Sequence, residues 1–147
     1  MFAGSHQLSV DDKGRIAIPA RFRQALQEQG GVQLYITLGS NPCLELYPAA
    51  EFRRIAADIQ NLADQQAAEQ LKQWFIGFAV EAEMDRQGRV LLAPMLRRRA
   101  RLDGSAVLVG QITRFDLWAE SAWNERFGAE VGSLPAELAA AFRAIRR

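Results

Sequence analysis

Two stretches decide the fold: VDDKGRIAIP, Val10–Pro19, and MDRQGRVLLAP, Met84–Pro94. In each, an Asp is followed four residues later by an Arg, with a Gly just before it: Asp11, Gly14 and Arg15, then Asp85, Gly88 and Arg89. An aliphatic run and a Pro come next. Glycine takes a positive φ at no steric cost, and Asp near such a glycine is a hairpin signal. The phrase therefore predicts a tight turn between two short strands, with acid and arginine facing each other across it. An exposed ion pair is a weak stabilising device. The acid can instead orient the guanidinium fork toward a phosphate or a guanine edge, and a β-ribbon fits the major groove of DNA.

The repetition extends outward from the phrase. After Pro19, Phe22, Ala25 and Leu26 fall at helical spacing, and Gly30-Gly31 stops the run. After Pro94 comes a shorter helical stretch with its own stop at Gly104. Apolar strands follow, VQLYITLG from Val32 and AVLVGQI from Ala106. Then CLELYP from Cys43 matches RFDLWA from Arg114, each reading apolar, acidic, Leu, large aromatic, so that Tyr47 answers Trp118. A helix is expected after each. Phe52, Ile55, Ile59 and Leu62 mark the first, Trp123 and Phe127 the second.

The expected order is strand, turn, strand, short helix, strand, turn, strand, helix, twice over. The first module is placed at 5–50, linking helices at 51–77, the second module at 78–121, and a C-terminal helix and tail at 122–147. Within the link, a helix over about 64–79 has Leu71, Trp74, Phe75 and Phe78 on its apolar face. A short helix or weak order is expected in the tail. Each repeat spans about 45 residues, near the lower limit for a unit that buries its own core. Two repeats sharing one core, as a pseudo-twofold pair, resolve that difficulty.

Composition narrows the function. The chain of 147 residues is 49% hydrophobic, with a net charge of only +1. Its charge is gathered rather than spread. All but two of the 18 basic residues are Arg, the exceptions being Lys13 and Lys72. Six arginines stand against one aspartate from Asp85 to Arg101. Gathered basic charge suits an anionic partner, although Arg97, Arg98 and Arg99 also fit a solvated helix face. Cys43 is the single cysteine and His6 the single histidine. Cys43 is expected as a small buried hydrophobe, and a metal site would lack its commonest ligand. No nucleophile–base pair, phosphate-cradling glycine loop or metal-ligand cluster is legible, so no enzyme, metal or cofactor is expected. The N-terminal stretch lacks the order of a secretory signal, and no apolar run reaches the roughly 20 residues of a membrane span. A cytoplasmic setting is expected.

The motifs MFAG, DDKGRIAIPARFR, NPCLELYP and MDRQGRVLLAP…VLVGQITRFDLW together resemble the MraZ family, over nearly the whole chain to about Phe127. That resemblance implies two SpoVT-AbrB-type modules: a mixed α+β, β-rich fold with a swapped-hairpin (AbrB-like) β-barrel and flanking helices. It implies a nucleoid-associated, ring-like homo-oligomer binding short direct repeats in promoter DNA. It further implies repression of the division and cell-wall gene cluster, the regulator's own gene included. Carried onto this chain, Lys13 and Arg15 lead the DNA-contacting face, with Arg86 and Arg89 in the second repeat. Asp11, Gly14, Asp85 and Gly88 shape and orient the turns. Two departures stand out: Gln87 answers Lys13, and Ala3 stands where many relatives have an arginine. The competing reading is an oligomeric protein-interaction module binding acidic partners. Tyr47, Trp74, Phe75, Trp118 and Trp123 are expected in the core or at a subunit interface, and Phe2 is expected to be an exposed interface residue.

Overall fold

A computed structural model describes residues 1–128 and 136–145. The first repeat runs β1 (Ser5–Ser9), β2 (Arg15–Ala17), α1 (Ala20–Glu28), β3 (Gln33–Leu38), β4 (Leu44–Pro48) and α2 (Ala49–Gln60). Helix α3 (Gln65–Leu71) then runs into a π-type turn at Lys72–Ile76. The second repeat follows as β5 (Val80–Glu83), β6 (Arg89–Leu91), α4 (Pro94–Arg99), β7 (Ser105–Gly110), β8 (Phe115–Ala119) and α5 (Glu120–Phe127). In the tail, α6 covers Ala136–Arg143. The expectations for 129–135 and 146–147 lie outside the described residues.

Local chemistry sets these boundaries. Pro94 occupies the first turn of α4, where its missing N–H costs nothing. Pro19 caps α1 from one position earlier, so the two prolines are offset by one residue when the repeats are aligned on Arg15 and Arg89. Asp64 caps α3, its carboxylate accepting from the Ala67 amide at 3.1 Å.

The repeats are interwoven. Six strands form one antiparallel sheet in the order β1-β7-β8-β4-β3-β5, and β2 pairs only with β6. Each repeat thus gives its first strand to the other: β1 lies on β7, β5 on β3. Exchanging the repeats reverses the sheet order onto itself, which is the signature of a pseudo-twofold axis. The axis passes through equivalent residues facing each other, Glu45 against Asp116 in the sheet and Ile16 against Val90 in the ribbon. The expected closed barrel is not what the ladders form. β1 and β5 are the edges of the six-stranded sheet, and among the described residues no ladder joins it to the β2–β6 ribbon. β2 and β6 are 3 residues each and are paired as strands only with one another.

Between sheet and ribbon lies a single core drawn from both repeats. Ile16, Ile18, Phe22 and Leu26 meet Val90, Leu92 and Leu96 over a floor that includes Leu34, Leu46, Leu108 and Phe115. Truncating one such side chain to alanine costs about 2–5 kcal/mol, so neither repeat keeps this core without the other. The opposite sheet face carries two aromatic clusters. Tyr47, Phe52, Ile59 and Phe75 form one, with Tyr35 stacked on Phe52 at 4.3 Å between centroids. Cys43, Val107, Val109 and Trp118, backed by Trp123, form the other. Cys43 is therefore the buried hydrophobe expected, and burial raises its thiol pKa. Trp74 differs from its aromatic companions in being 42% exposed; its indole N–H donates to the Gly39 carbonyl at 3.0 Å.

Phe2 corrects the sequence reading. It is 1% exposed, not an exposed interface residue. Its ring lies 4.1 Å from that of Phe115, and backbone hydrogen bonds with Ile112 in both directions close the N-terminus over the core. Phe22 and Phe115 give its ring aromatic contacts inside the core that solvent does not offer.

A polar group sits on the axis within the buried sheet. Glu45 and Asp116 are 5% and 4% exposed. Arg114 Nε donates to Asp116 at 2.9 Å, and the Tyr47 hydroxyl donates to Glu45 at 2.7 Å. Burial raises the Glu45 pKa, against the lowering effect of the Tyr47 hydrogen bond and the Arg114 charge. Burial opposes the charge on Arg114, but the Asp116 hydrogen bond and the two carboxylate charges outweigh it and raise its pKa. Each repeat contributes one acid, so this cluster ties the two together.

Candidate nucleic-acid interface

The two turns have nearly the same geometry. Asp11 Oδ1 accepts from the Lys13 and Arg15 amides at 2.9 and 2.8 Å, and Oδ2 accepts from Arg15 Nε at 2.8 Å. Asp85 Oδ1 accepts from the Gln87 and Arg89 amides at 2.9 and 2.8 Å, and Oδ2 from Arg89 Nε at 3.0 Å. Gly14 and Gly88 take φ of 82° and 77°, the left-handed region the turn requires. Both aspartates have lowered pKa values. The largest cause is the hydrogen bond from the backbone of Arg15 or Arg89, and the side-chain bond to the same residue adds to it.

This arrangement does more than pair charges. One carboxylate oxygen builds the turn and the other fixes the arginine. Because the pair runs through Nε, no hydrogen bond among the described residues engages the terminal guanidinium nitrogens of Arg15 or Arg89. Those nitrogens are donors that can meet a guanine edge or a phosphate. Lys13 and Arg86 are exposed beside them.

The β2–β6 ribbon brings the turns together. Arg15 lies opposite Leu91, and Arg89 opposite Ala17. Ile16 and Val90 point into the core, so Arg15, Ala17, Arg89 and Leu91 share the outer face. The arginines are then two ladder steps apart, about 7 Å along the ribbon at 3.4 Å per residue. Leu91, 57% exposed, stands on this face.

Each turn is also clasped by the other repeat. The Gly14 carbonyl accepts from the Leu92 amide at 2.9 Å, and the Gly88 carbonyl accepts from Ile18 at 2.8 Å. Arg97 of α4 covers Gly14 so closely that a Cβ there would lie 2.7 Å from its Cζ. Arg23 of α1 covers Gly88, with a Cβ falling 2.3 Å from its Cδ. The sequence reading missed this pair. A signal was present: each follows its turn arginine by the same interval, Arg15 to Arg23 and Arg89 to Arg97. Among the described residues no group of three or more His, Cys, Asp or Glu could hold a metal ion, and no helix is long and apolar enough to cross a membrane.

The fold and turns define a class: two repeats of one strand–turn–strand–helix unit that exchange their first strands and present two basic turns on one ribbon. Comparison with known proteins gives the family. The family model described as "MraZ protein, putative antitoxin-like" matches twice, over residues 1–74 and 75–143. The chain is 43% identical over 143 residues to the transcriptional regulator MraZ of Shewanella pealeana, covering 95% of this chain and 94% of that one. It is 40% identical over 146 residues to the protein of the same name from Pseudomonas savastanoi pv. phaseolicola, covering 94% and 97%. The corresponding protein of Tolumonas auensis is 38% identical over 137 residues, covering 92% and 90%. The chain belongs to the MraZ family.

Proposed function

We propose that this chain is a sequence-specific DNA-binding transcriptional regulator and not an enzyme. Its targets on this reading are short direct repeats in the promoter of the division and cell-wall gene cluster. Binding there represses that cluster and the chain's own gene. The observation that carries the reading is the doubled turn: an aspartate fixes each arginine through Nε and leaves its terminal guanidinium nitrogens without a partner among the described residues. Lys13 and Arg15 make the leading contacts, Arg86 and Arg89 the supporting ones. The modules 5–50 and 78–121 act as one folded unit, because their first strands are exchanged.

A near-neutral subunit binds DNA weakly alone, so assembly belongs to the proposal. The edges at β1 and β5 and the half-exposed Leu71 and Trp74 support a ring-like homo-oligomer. Such a ring multiplies weak contacts through effective concentration. The reading places the protein at the nucleoid. Binding to a duplex carrying the repeats upstream of its own gene, compared with a scrambled duplex over a salt series, tests it. Preference for the repeats with affinity falling steeply as salt rises is expected. Equal affinity for both duplexes, or binding to acidic proteins alone, would overturn it.

A further inference from the structure

Exchange of the first strands has a consequence for charge. The helix that covers the first turn belongs to the second repeat, and it is the more basic of the two. Where α1 has Gln24 and Gln27, the matching positions counted from the turn arginine are Arg98 and Arg101. Lys13, absent from the second turn, lies on the first. The interweaving therefore adds the two differences together at one end of the ribbon.

At that end is a cleft of about 380 Å³, lined by Arg97, Arg98 and Arg101 with Pro94, Leu102 and Asp103. Its counterpart beside the second turn, about 260 Å³, has Arg23 and Arg86 facing Glu83 and Asp85. Among the described residues, none of the three guanidinium groups of the larger cleft makes a salt bridge, unlike Arg54 and Arg114. Arg97 Nε is buried without a hydrogen-bond partner among those residues, as is Arg23 Nε beside the second turn, so what sets the larger cleft apart is Arg98 and Arg101. Three like charges held together with a single acid favour an anion between them.

The backbone adds a second, independent observation. Arg101 follows the end of α4 with φ of 54°, and the Leu102 amide bonds back to the Arg97 carbonyl at 2.9 Å. That is the helix-ending position where glycine is the ordinary choice, and α1 has Gly30 after its own end, with φ of 102°. An arginine kept in a strained conformation where glycine fits better points to a use for its side chain. The helix dipole accounts for basic residues in the last turn of α4, but not for Arg101 beyond it.

We propose that the Arg97–Arg98–Arg101 cleft is a phosphate site that seats the DNA backbone while the adjoining first turn meets the bases. Arg97 touches both the cleft and Gly14, so a duplex lying on Lys13 and Arg15 passes over the cleft mouth. The proposal rests on the DNA-binding reading, and its test separates the two. The protein carrying Arg98→Gln and Arg101→Gly together is compared with wild type and with Arg15→Ala. The glutamine is what the first repeat has, and the glycine relieves the strained backbone. Affinity for repeat-bearing and scrambled duplexes is measured over a salt series, with Tm and sedimentation alongside.

The double variant is expected to bind both duplexes more weakly by the same factor, roughly tenfold. Its log–log salt slope should be shallower by about 0.9 for each phosphate it no longer neutralises. Its Tm should be unchanged or raised, its assembly unchanged, and its preference for the repeats retained. Arg15→Ala should lose that preference. An unchanged affinity and slope in the double variant, with Arg15→Ala still impaired, would overturn the cleft proposal and leave the DNA reading standing. No binding of either duplex by wild type would remove both. Calorimetric titration with pyrophosphate addresses a free phosphate as the source. Saturable binding that disappears in the double variant, with the DNA salt slope unchanged, would assign the cleft to a small ligand and overturn the backbone assignment.

Discussion

The turns at Asp11–Arg15 and Asp85–Arg89 share one geometry and differ in chemistry. Their carboxylates accept the same three hydrogen bonds, and an arginine from the opposite repeat covers the glycine of each. The first is flanked by Lys13 and α4, the second by Gln87 and α1. Geometry is set by the backbone, which the pseudo-twofold axis repeats. Charge is set by side chains on the surface, which the axis leaves free to diverge. Shape is therefore shared and charge is not.

The largest effect follows directly. Arg15→Ala should weaken binding to the repeat duplex by about 1–3 kcal/mol, the worth of a bidentate base contact. Arg89→Ala should cost clearly less. Fluorescence anisotropy with both variants checked for folding measures the difference, and equal losses would show that the two turns contact DNA alike.

Stability should rank the turns the other way. Gly14→Ala and Gly88→Ala each force a side chain into the left-handed region, costing about 1–2 kcal/mol. At Gly14 the new Cβ meets the guanidinium end of Arg97, which can swing away. At Gly88 it meets Arg23 at Cδ, on the stem, which is harder to displace. Chemical denaturation should find Gly88→Ala the less stable of the two, although Arg15→Ala should be more damaging to binding than Arg89→Ala. A reversed stability order would mean that the covering arginines do not constrain the turns.

How much of this was written in the sequence depends on range. The turns were legible because Asp, Gly and Arg act within five residues, and the strands and helices because their periodicity is local. The repeat itself suggested a shared core. Phe2 was misread, since nothing near it in the chain shows that Phe115 and Phe22 lie across from it. The covering roles of Arg23 and Arg97 were hidden for the same reason: each touches a turn more than sixty residues away in sequence. The closed barrel came from the family resemblance, and the ladders among the described residues form a six-stranded sheet and a separate β2–β6 ribbon instead. The axial Glu45–Asp116 pairing follows from matching the repeats, once the axis is known to run through them.

A smaller effect should narrow the difference between the turns. Gln87 is exposed, and its side chain makes no hydrogen bond among the described residues. Its contribution to the turn is the backbone amide, which any residue but proline supplies. Gln87→Lys should leave Tm unchanged, raise DNA affinity, and steepen the salt slope by about 0.9 for each further phosphate neutralised. Tighter binding without a steeper slope would mean the lysine acts otherwise than on phosphate.

The smallest expected effect separates turn building from arginine positioning. Asn at position 11 or 85 keeps an oxygen for the two backbone amides. Its NH₂ replaces the oxygen that accepted from arginine Nε, setting donor against donor. The turn should survive while the guanidinium loses its brace. Acid titration provides the control. Both aspartates have lowered pKa values in the folded state, so their stabilising contribution is complete at neutral pH. It is lost as pH falls past the ordinary aspartate value of 3.8 and through the lowered one. The Tm deficit of either Asn variant should therefore shrink toward zero in strong acid, where the wild-type carboxylate is itself protonated. Glu45 works with the opposite sign. Its raised pKa makes the folded state the better proton binder, so its contribution falls as pH rises through that pKa, and it is the same in wild type and variants. At neutral pH, Asp11→Asn should lower the ratio of repeat to scrambled affinity, because an unbraced Arg15 holds its bidentate geometry less often. Asp85→Asn should lower it less, because its turn has one charge fewer with which to engage DNA. If both variants lose Tm equally while neither changes the ratio, the aspartates are turn builders only, and the outward-directed arginines owe nothing to them.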